Sequence, residues 1–338
     1  MIMEKRVMTG FISRILPLLS FAFIFLFPND FPDQQSQEIS NSEIGFVVYS
    51  QNTYYGLNLD NSQGEIRFRI ETNHNKNVLF IDQNIEDVYY TVAATNDHGA
   101  FIAYYPYLET NNPIRLSPTQ FDKNFGKLLF ESSSVPLRKE INLSENPLII
   151  DNSNQLLADE NQNAYIIETI NGVSKVIPSQ NPYEILTAVN SYSDITNMNN
   201  DFFHPFQQKI RVENEIKNNI NNFSLNNGFD VLKKAQPIQD VIASIIIDPN
   251  RNQIFLSFDK DFEKIWMINL DGGTIETFAG FEKYHKGNMP DIGITANDLR
   301  ILNFSNEGLM IRIIFGAIGI LIIILATVLL NIRDYKLQ

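Results

Sequence analysis

The sequence predicts an α+β protein in which β-sheets are buried against helices. Two regions rich in β-branched and aromatic residues, 44–178 and 240–280, flank one helical block at 206–236. Strands that return after a helical block indicate a layered fold. No repeat period is present, which argues against a propeller.

The first strand-rich region alternates short apolar runs with turn residues, as hairpin-connected strands do. Within it, EIRFRI (65–70) alternates charged and bulky residues, which indicates a strand with one solvated face. The predicted strands of this region are 44–50, 53–59, 65–70, 76–81, 87–94, 100–105, 163–170 and 173–178.

The helical block contains two predicted helices, 206–220 and 228–236. In the first, Ile210, Ile216 and Ile220 approximate the spacing of one helix face, with Val212 adjacent to it. A closing set of strands follows, and the turns DPNRN and DGG separate its first and last pairs. These strands are 240–248, 253–259, 264–270 and 274–280.

The C-terminal end predicts a membrane span. Residues 313–330 are uncharged, and as a helix they would extend about 27 Å, close to the hydrocarbon thickness of a bilayer. We predict a transmembrane helix at 309–331. Arg333 and Lys336 in the tail 332–338 predict that the C-terminus is cytoplasmic.

The N-terminal end agrees with this orientation. Residues 1–28 have a basic start and an apolar run from Ile15 to Phe27, the pattern of a secretory signal peptide or a signal anchor. No A-x-A-like cleavage site follows, so both alternatives stay open. A polar linker, 29–42, leads into the main domain, 43–300. We therefore predict a protein of the cell membrane, with the lipid bilayer as a partner and most of the chain extracytoplasmic.

Composition excludes several kinds of function. The net charge of −13 argues against nucleic acid as a partner, because phosphate binding needs a basic surface. The absence of cysteine excludes disulfides, cysteine-ligated metals and a thiolate nucleophile. The four histidines form no i, i+3 or i, i+4 pair, and no P-loop or G-x-G-x-x-G motif is present. We predict no metal and no cofactor.

Four motifs follow one another in an order that resembles a known family. They are YGLNLD (55–60), ATNDHGA (94–100), LLADENQNAYIIET (156–169) and TAVNSYSD (187–194). Their order resembles the choloylglycine hydrolase and linear amide C–N hydrolase family, which includes penicillin V acylases, bile salt hydrolases and N-acylethanolamine acid amidase. The resemblance covers about 43–282. It implies an Ntn-hydrolase fold, a four-layer αββα sandwich whose first strand begins with a catalytic cysteine.

At the position of that cysteine this chain departs from the family. The resemblance places the cysteine near Glu43, and a carboxylate is not an amide nucleophile of this kind. Ser42 is the candidate nucleophile if the chain is cleaved after Asn41, since a serine attacks when a base activates it. The alternative is that Ser42 only ends the linker. Leu57 stands where an arginine often assists the family's site.

Three other residues match the family's site. The resemblance implies that Asp60 orients the amine of the nucleophile, that Asn190 donates to or orients the oxyanion, and that Arg211 lies near the substrate. Asp60 and Asn190 are also ordinary turn residues, and Arg211 an ordinary solvated helix residue. A further oxyanion asparagine is missing near Tyr105.

Three functions are compatible with this pattern. The first is a pseudoenzyme or binding module that keeps a cleft for an acylated amine or amide ligand. The second is an active amidase with Ser42 as an N-terminal nucleophile. The third is an unrelated, exported, β-rich adhesion domain.

Overall fold

Two eight-stranded antiparallel sheets are the main elements of the part of the chain that the structure describes. The computed structural model describes residues 44–60, 64–73, 75–106, 115–131, 150–187, 203–235 and 241–303. In chain order the strands are β1 Ile44–Tyr49, β2 Thr53–Asp60, β3 Ile66–Asn73, β4 Lys76–Ile85, β5 Val88–Asn96, β6 Phe101–Pro106, β7 Ser153–Ala158, β8 Ala164–Ile170, β9 Val173–Pro178, β10 Tyr183–Thr187, β11 Val241–Asp248, β12 Gln253–Phe258, β13 Ile265–Asn269, β14 Thr274–Ala279, β15 Lys286–Asn288 and β16 Ile294–Thr295.

The described residues contain few helices. They are α1 Pro118–Gly126, which continues into a π-helical turn Lys127–Glu131, α2 Phe203–Asn219, followed by a 3-10 turn Ile220–Asn222, α3 Leu225–Ala235 and α4 Ala296–Asn303. The first sheet has the strand order β10-β1-β2-β11-β12-β13-β14-β15, and the second has the order β16-β3-β4-β5-β6-β7-β8-β9. The predicted α+β class, with large antiparallel sheets, is confirmed.

A buried apolar layer lies between the two sheets. Leu57 and Ile245 from the first sheet and Phe101 and Leu156 from the second all belong to one cluster of fully buried side chains. Because successive side chains of a strand point to opposite faces, every second residue of β1, β2 and β11 faces this layer. The side chains of the residues between them point to the outer face of the sheet, and burying them requires a further layer of structure on that face.

Helices cover the outer face of each sheet. On the first sheet, Phe46 and Ile246 pack with Leu232 of α3 and Val212 of α2. On the second sheet, side chains of β4, β6 and β8 form a cluster with α1 and its π-helical turn, and Phe80 meets Phe121 edge to face with ring centroids 6.2 Å apart. The described layers are therefore helix, sheet, sheet and helix, which is consistent with an Ntn-like sandwich.

The structure corrects one detail of the predicted helix face. Val212 and Ile216 of α2 are fully buried, whereas Ile210 is 40% exposed. The buried face therefore runs through Val212, with Gln208 four residues earlier also buried. Gln208 is polar but can be buried, because its Nε2 donates to the carbonyl oxygen of Ala235 at 2.6 Å. This bond stabilises the C-terminal end of α3.

A buried ion cluster lies on the outer face of the second sheet. Asp82 is fully buried, and its Oδ2 accepts from Arg69 Nε at 2.7 Å and from the terminal nitrogen of Arg67 at 2.8 Å. Its Oδ1 accepts from Thr91 Oγ1 at 2.7 Å. The Arg69 guanidinium also lies over the ring of Phe80, 4.1 Å from the centroid. Asp82 is therefore shared by two guanidinium groups, and Glu71 is a second carboxylate partner of Arg69.

The predicted membrane segments lie outside the described residues. This applies to the N-terminal segment 1–28, the linker 29–42, the transmembrane helix 309–331 and the tail 332–338. Within the described ranges, no helix has the length and apolar character needed to cross a bilayer.

Candidate functional site

The start of β1 lies beside the last residues of its two neighbouring strands, β2 and β10, in the first sheet. Ile44 pairs with Asn58 near the end of β2 on one side and with Thr187 at the end of β10 on the other. Asp60, the last residue of β2, pairs with Val241 at the start of β11. We name these five residues the β1 mouth.

Buried polar side chains fix helix α3 to the β1 mouth. Asn58 is fully buried, and its Nδ2 donates to the carbonyl oxygen of Leu232 at 2.9 Å. Its Oδ1 accepts from Ser244 Oγ on β11 at 2.7 Å. The Leu232 carbonyl belongs to the last turn of α3, where carbonyl groups have no partner within the helix. Asn58 therefore joins β2, β11 and α3 at one point.

We expect Asn58→Leu to lower the free energy of unfolding by about 1–3 kcal/mol, since it leaves the Leu232 carbonyl and the Ser244 hydroxyl buried without this partner. Urea unfolding followed by circular dichroism measures the loss. Ser244→Ala is the matched control, because it removes one donor and leaves the bond to α3 intact. Equal stability of Asn58→Leu and the parent chain would contradict this role.

The second sheet places a polar row against the β1 mouth. Asn154 of β7 pairs with Glu168 of β8, which pairs with Lys175 of β9. Two residues further along these strands, Leu156 and Ile166 face the layer between the sheets, so Asn154 and Glu168 continue the same face. Asn154 is fully buried, and its Nδ2 donates to the Thr187 carbonyl oxygen at 3.3 Å.

Two carboxyl groups near the mouth are held in a poorly solvated environment. Burial raises the pKa of Glu168, and the positive charges of Lys175 and Lys209 only partly oppose this. Burial likewise raises the pKa of Glu184 on β10, again with Lys209 of α2 acting in the opposite direction. We count this polar row with the β1 mouth from here on, so that the mouth also contains the Asn154 carboxamide and the Glu168 carboxyl group, with Lys175 and Lys209 acting on Glu168.

The raised pKa of Glu168 predicts how stability depends on pH. A carboxyl group whose pKa is higher in the folded state stabilises the fold below its unfolded pKa, and this contribution is lost as the pH rises through the folded value. We therefore expect the parent chain to lose stability relative to Glu168→Gln as the pH rises above the usual carboxyl pKa of 4.5. Urea unfolding of both chains across this pH range tests the expectation. A parallel pH dependence in the two chains would contradict it.

The structure describes only some of the site residues that the sequence predicts. The backbone of Asp60 closes β2 at the β1 mouth. Ser42 and Asn190 lie outside the described residues. Arg211 is exposed on α2, while Lys209, two residues earlier, is the basic residue that interacts with Glu168 and Glu184. Leu57, at the family's arginine position, is fully buried between the sheets.

Sequence reasoning missed Asn58, Asn154 and Glu168. Each is a polar residue on a strand with an apolar or small residue two positions away on at least one side, and this pattern is present in GLNL, NQLL and IIET. It is also common on solvated faces. Among the described residues, no three His, Asp or Glu side chains are grouped closely enough to hold a metal ion.

Comparison with solved structures finds proteins of similar fold. Penicillin V acylase from Agrobacterium tumefaciens is 15% identical, with 70% of this chain and 92% of that chain covered and a TM-score of 0.47. A variant of conjugated bile acid hydrolase from Clostridium perfringens is 15% identical, with 70% and 96% covered and a TM-score of 0.46. The Caenorhabditis elegans ortholog of N-acylethanolamine-hydrolyzing acid amidase is 11% identical, with 61% and 92% covered and a TM-score of 0.40.

This chain is similar to proteins of the choloylglycine hydrolase family. No family model matches the sequence. No curated protein matches it either. The strand order and the helix–sheet–sheet–helix layers are properties of this chain itself.

Proposed function

We propose that this protein is a membrane-anchored, extracytoplasmic domain resembling the amide C–N hydrolases, which binds an acylated amine or amide and does not cleave it through a thiol. One observation carries the proposal. The first strand starts at a mouth lined by buried polar groups, where the resemblance calls for a cysteine, and the chain contains none.

The polar groups of the mouth support binding of an amide. Asn154 contributes a carboxamide that is fully buried, and Lys175 and Lys209 contribute positive charge close to Glu168. The ligand class we propose follows from the family resemblance and is an acyl chain joined to a polar head by an amide bond.

Binding is tested with the purified full chain in detergent and a series of N-acyl amino acids. We expect them to raise the melting temperature, and we expect fatty acids of equal length to raise it less. Asn154→Ala should reduce the shift. Asn288→Ala is the matched control, because Asn288 is exposed on β15, at the opposite edge of the first sheet from β10. Equal shifts for the amides and the fatty acids would contradict amide recognition.

A second candidate function has a specific observation in its favour. The β1–β2 register pairs Ile44 with Asn58. The start of β1 thus lies beside the end of β2, which Asp60 closes. The second candidate is an active amidase with Ser42 as its N-terminal nucleophile and Asp60 as the residue that orients its amine.

Intact mass and N-terminal sequencing separate the two functions. If the protein is a binding module, no mature N-terminus is found at Ser42. Ser42→Ala and the linker control Ser40→Ala then show the same turnover as the parent chain. A mature chain that begins at Ser42, with turnover abolished only by Ser42→Ala, would establish the amidase instead.

A further inference from the structure

The sandwich has one edge at which both sheets end in short strands. At the opposite edge β10 of the first sheet contacts β7 and β8 of the second, so β15 and β16 end their sheets on the same side. Helix α4 follows β16 there. The Nε and a terminal nitrogen of Arg300 each donate to a carboxylate oxygen of Asp259 at 2.6 Å, which ties α4 to the turn after β12. We name residues 284–302 the exit edge.

Exposed apolar side chains concentrate at the exit edge. Nine large hydrophobic side chains are exposed among the described residues, and four of them are Tyr284 at 68%, Ile292 at 80%, Ile301 at 70% and Leu302 at 46%. Single exposed apolar residues are normal on a soluble surface. Four within nineteen residues of the chain, on one side of the sandwich, indicate a surface that contacts something apolar.

The proposed transmembrane helix that follows the exit edge indicates what this surface contacts. The described residues end at Asn303, and the transmembrane helix of the proposed function begins at 309. The residues between them, 304–308, span at most about 17 Å when fully extended. The exit edge therefore lies close to the bilayer if the anchor is present. Tyrosine and isoleucine side chains are suited to the boundary between headgroups and acyl chains.

We propose that the exit edge rests on the lipid surface, with Ile292, Ile301 and Leu302 inserted at the level of the headgroups. This inference rests on the membrane anchor of the proposed function. It fixes the orientation of the domain, because β9 then lies furthest from the membrane, about 34 Å away at seven strand spacings of about 4.8 Å. Asp291 and Asp298 are balanced at this edge by Lys286 and Arg300, so the inference does not depend on attraction to anionic lipids.

The absence of native cysteine makes a direct test possible, because a single introduced thiol can be labelled uniquely. Ile292→Cys and Ile301→Cys are labelled with an environment-sensitive fluorophore in the full chain, reconstituted into phosphatidylcholine vesicles. Val173→Cys is the matched control, since Val173 is 74% exposed on β9 at the far edge. Lipids spin-labelled near the headgroup then serve as quenchers.

We expect about twofold stronger quenching for the probes at positions 292 and 301 than for the probe at position 173, with a blue shift on reconstitution. Flotation of the protein with vesicles, but equal quenching at all three positions, would overturn the lipid-facing edge and leave the anchor standing. Failure to float would overturn the anchor and this inference together. A blue shift without lipid quenching, accompanied by disulfide-linked dimers of Ile301→Cys, would assign the surface to a second copy of the chain and overturn the proposal.

Discussion

Asp82→Asn is expected to lower the free energy of unfolding by about 3–5 kcal/mol, the cost of removing one partner from a buried ion pair. The substitution preserves the shape of the side chain and so creates no cavity. It removes the carboxylate that Arg67 and Arg69 share, whose side chains are only 21% and 8% exposed, and leaves the half-exposed Glu71 as the remaining carboxylate partner of Arg69. Urea unfolding at pH 7, monitored by circular dichroism, gives the change directly.

Asp259→Asn is the matched control for this experiment. Asp259 also binds an arginine through two hydrogen bonds, but its side chain is 59% exposed. An exposed ion pair contributes at most about 1 kcal/mol, because water and salt screen it. Equal losses for Asp82→Asn and Asp259→Asn would contradict the importance of burial at Asp82.

Gly56→Ala is expected to lower the free energy of unfolding by about 3 kcal/mol, at the upper end of the cost of overpacking. Gly56 lies directly opposite Phe46 in the β1–β2 ladder, and the Phe46 ring covers it. A β-carbon at position 56 would lie 2.1 Å from a ring carbon of Phe46. The ring is fully buried and meets Phe223 edge to face, which leaves it little room to move.

Two further variants make this prediction specific. Gly45→Ala is the control on the neighbouring strand, since a β-carbon there would meet its nearest atom, the Tyr105 hydroxyl oxygen, at 3.5 Å, an ordinary contact. Phe46→Leu combined with Gly56→Ala should recover part of the loss, because the smaller side chain leaves space for the new methyl group. A double variant less stable than the sum of the two single changes would contradict this explanation.

Much of the fold was predictable because the local patterns and the tertiary contacts agree. The predicted strands of both regions are present, since their alternating apolar residues supply the layer between the sheets. The segments that escaped prediction carry weaker patterns. Strand β7 begins with Ser153, Asn154 and Gln155, all fully buried, and their polarity obscured the strand.

Helix α1 escaped prediction for a different reason. It has only nine residues, and its apolar face consists mainly of Phe121 and Phe125. Its start is nevertheless encoded: the Gln120 backbone N–H donates to Ser117 Oγ, and Gln120 Oε1 accepts from the Ser117 backbone N–H, which is a capping box. A capping signal before so short a pattern does not predict a helix without its packing partner.

The candidate site was predictable in part. The motif YGLNLD contains Asp60, a predicted site residue, and Asp60 is the last residue of β2 at the β1 mouth. The buried residues of the mouth come from distant parts of the sequence: Asn58 is bonded to Ser244 across 186 positions, and Asn154 to Thr187 across 33. Only the pairing of strands brings them together. A single sequence contains no record of those pairings.

The most direct test of the account is a turnover measurement on the purified full chain. The protein in detergent is incubated with N-acyl amino acids and with an acylated ethanolamine, and mass spectrometry follows the release of free fatty acid. Ser42→Ala, purified identically, reports any background from contaminating hydrolases. We predict that the parent chain binds these amides but releases no more fatty acid than the Ser42→Ala chain. Hydrolysis by the parent chain alone would contradict the account.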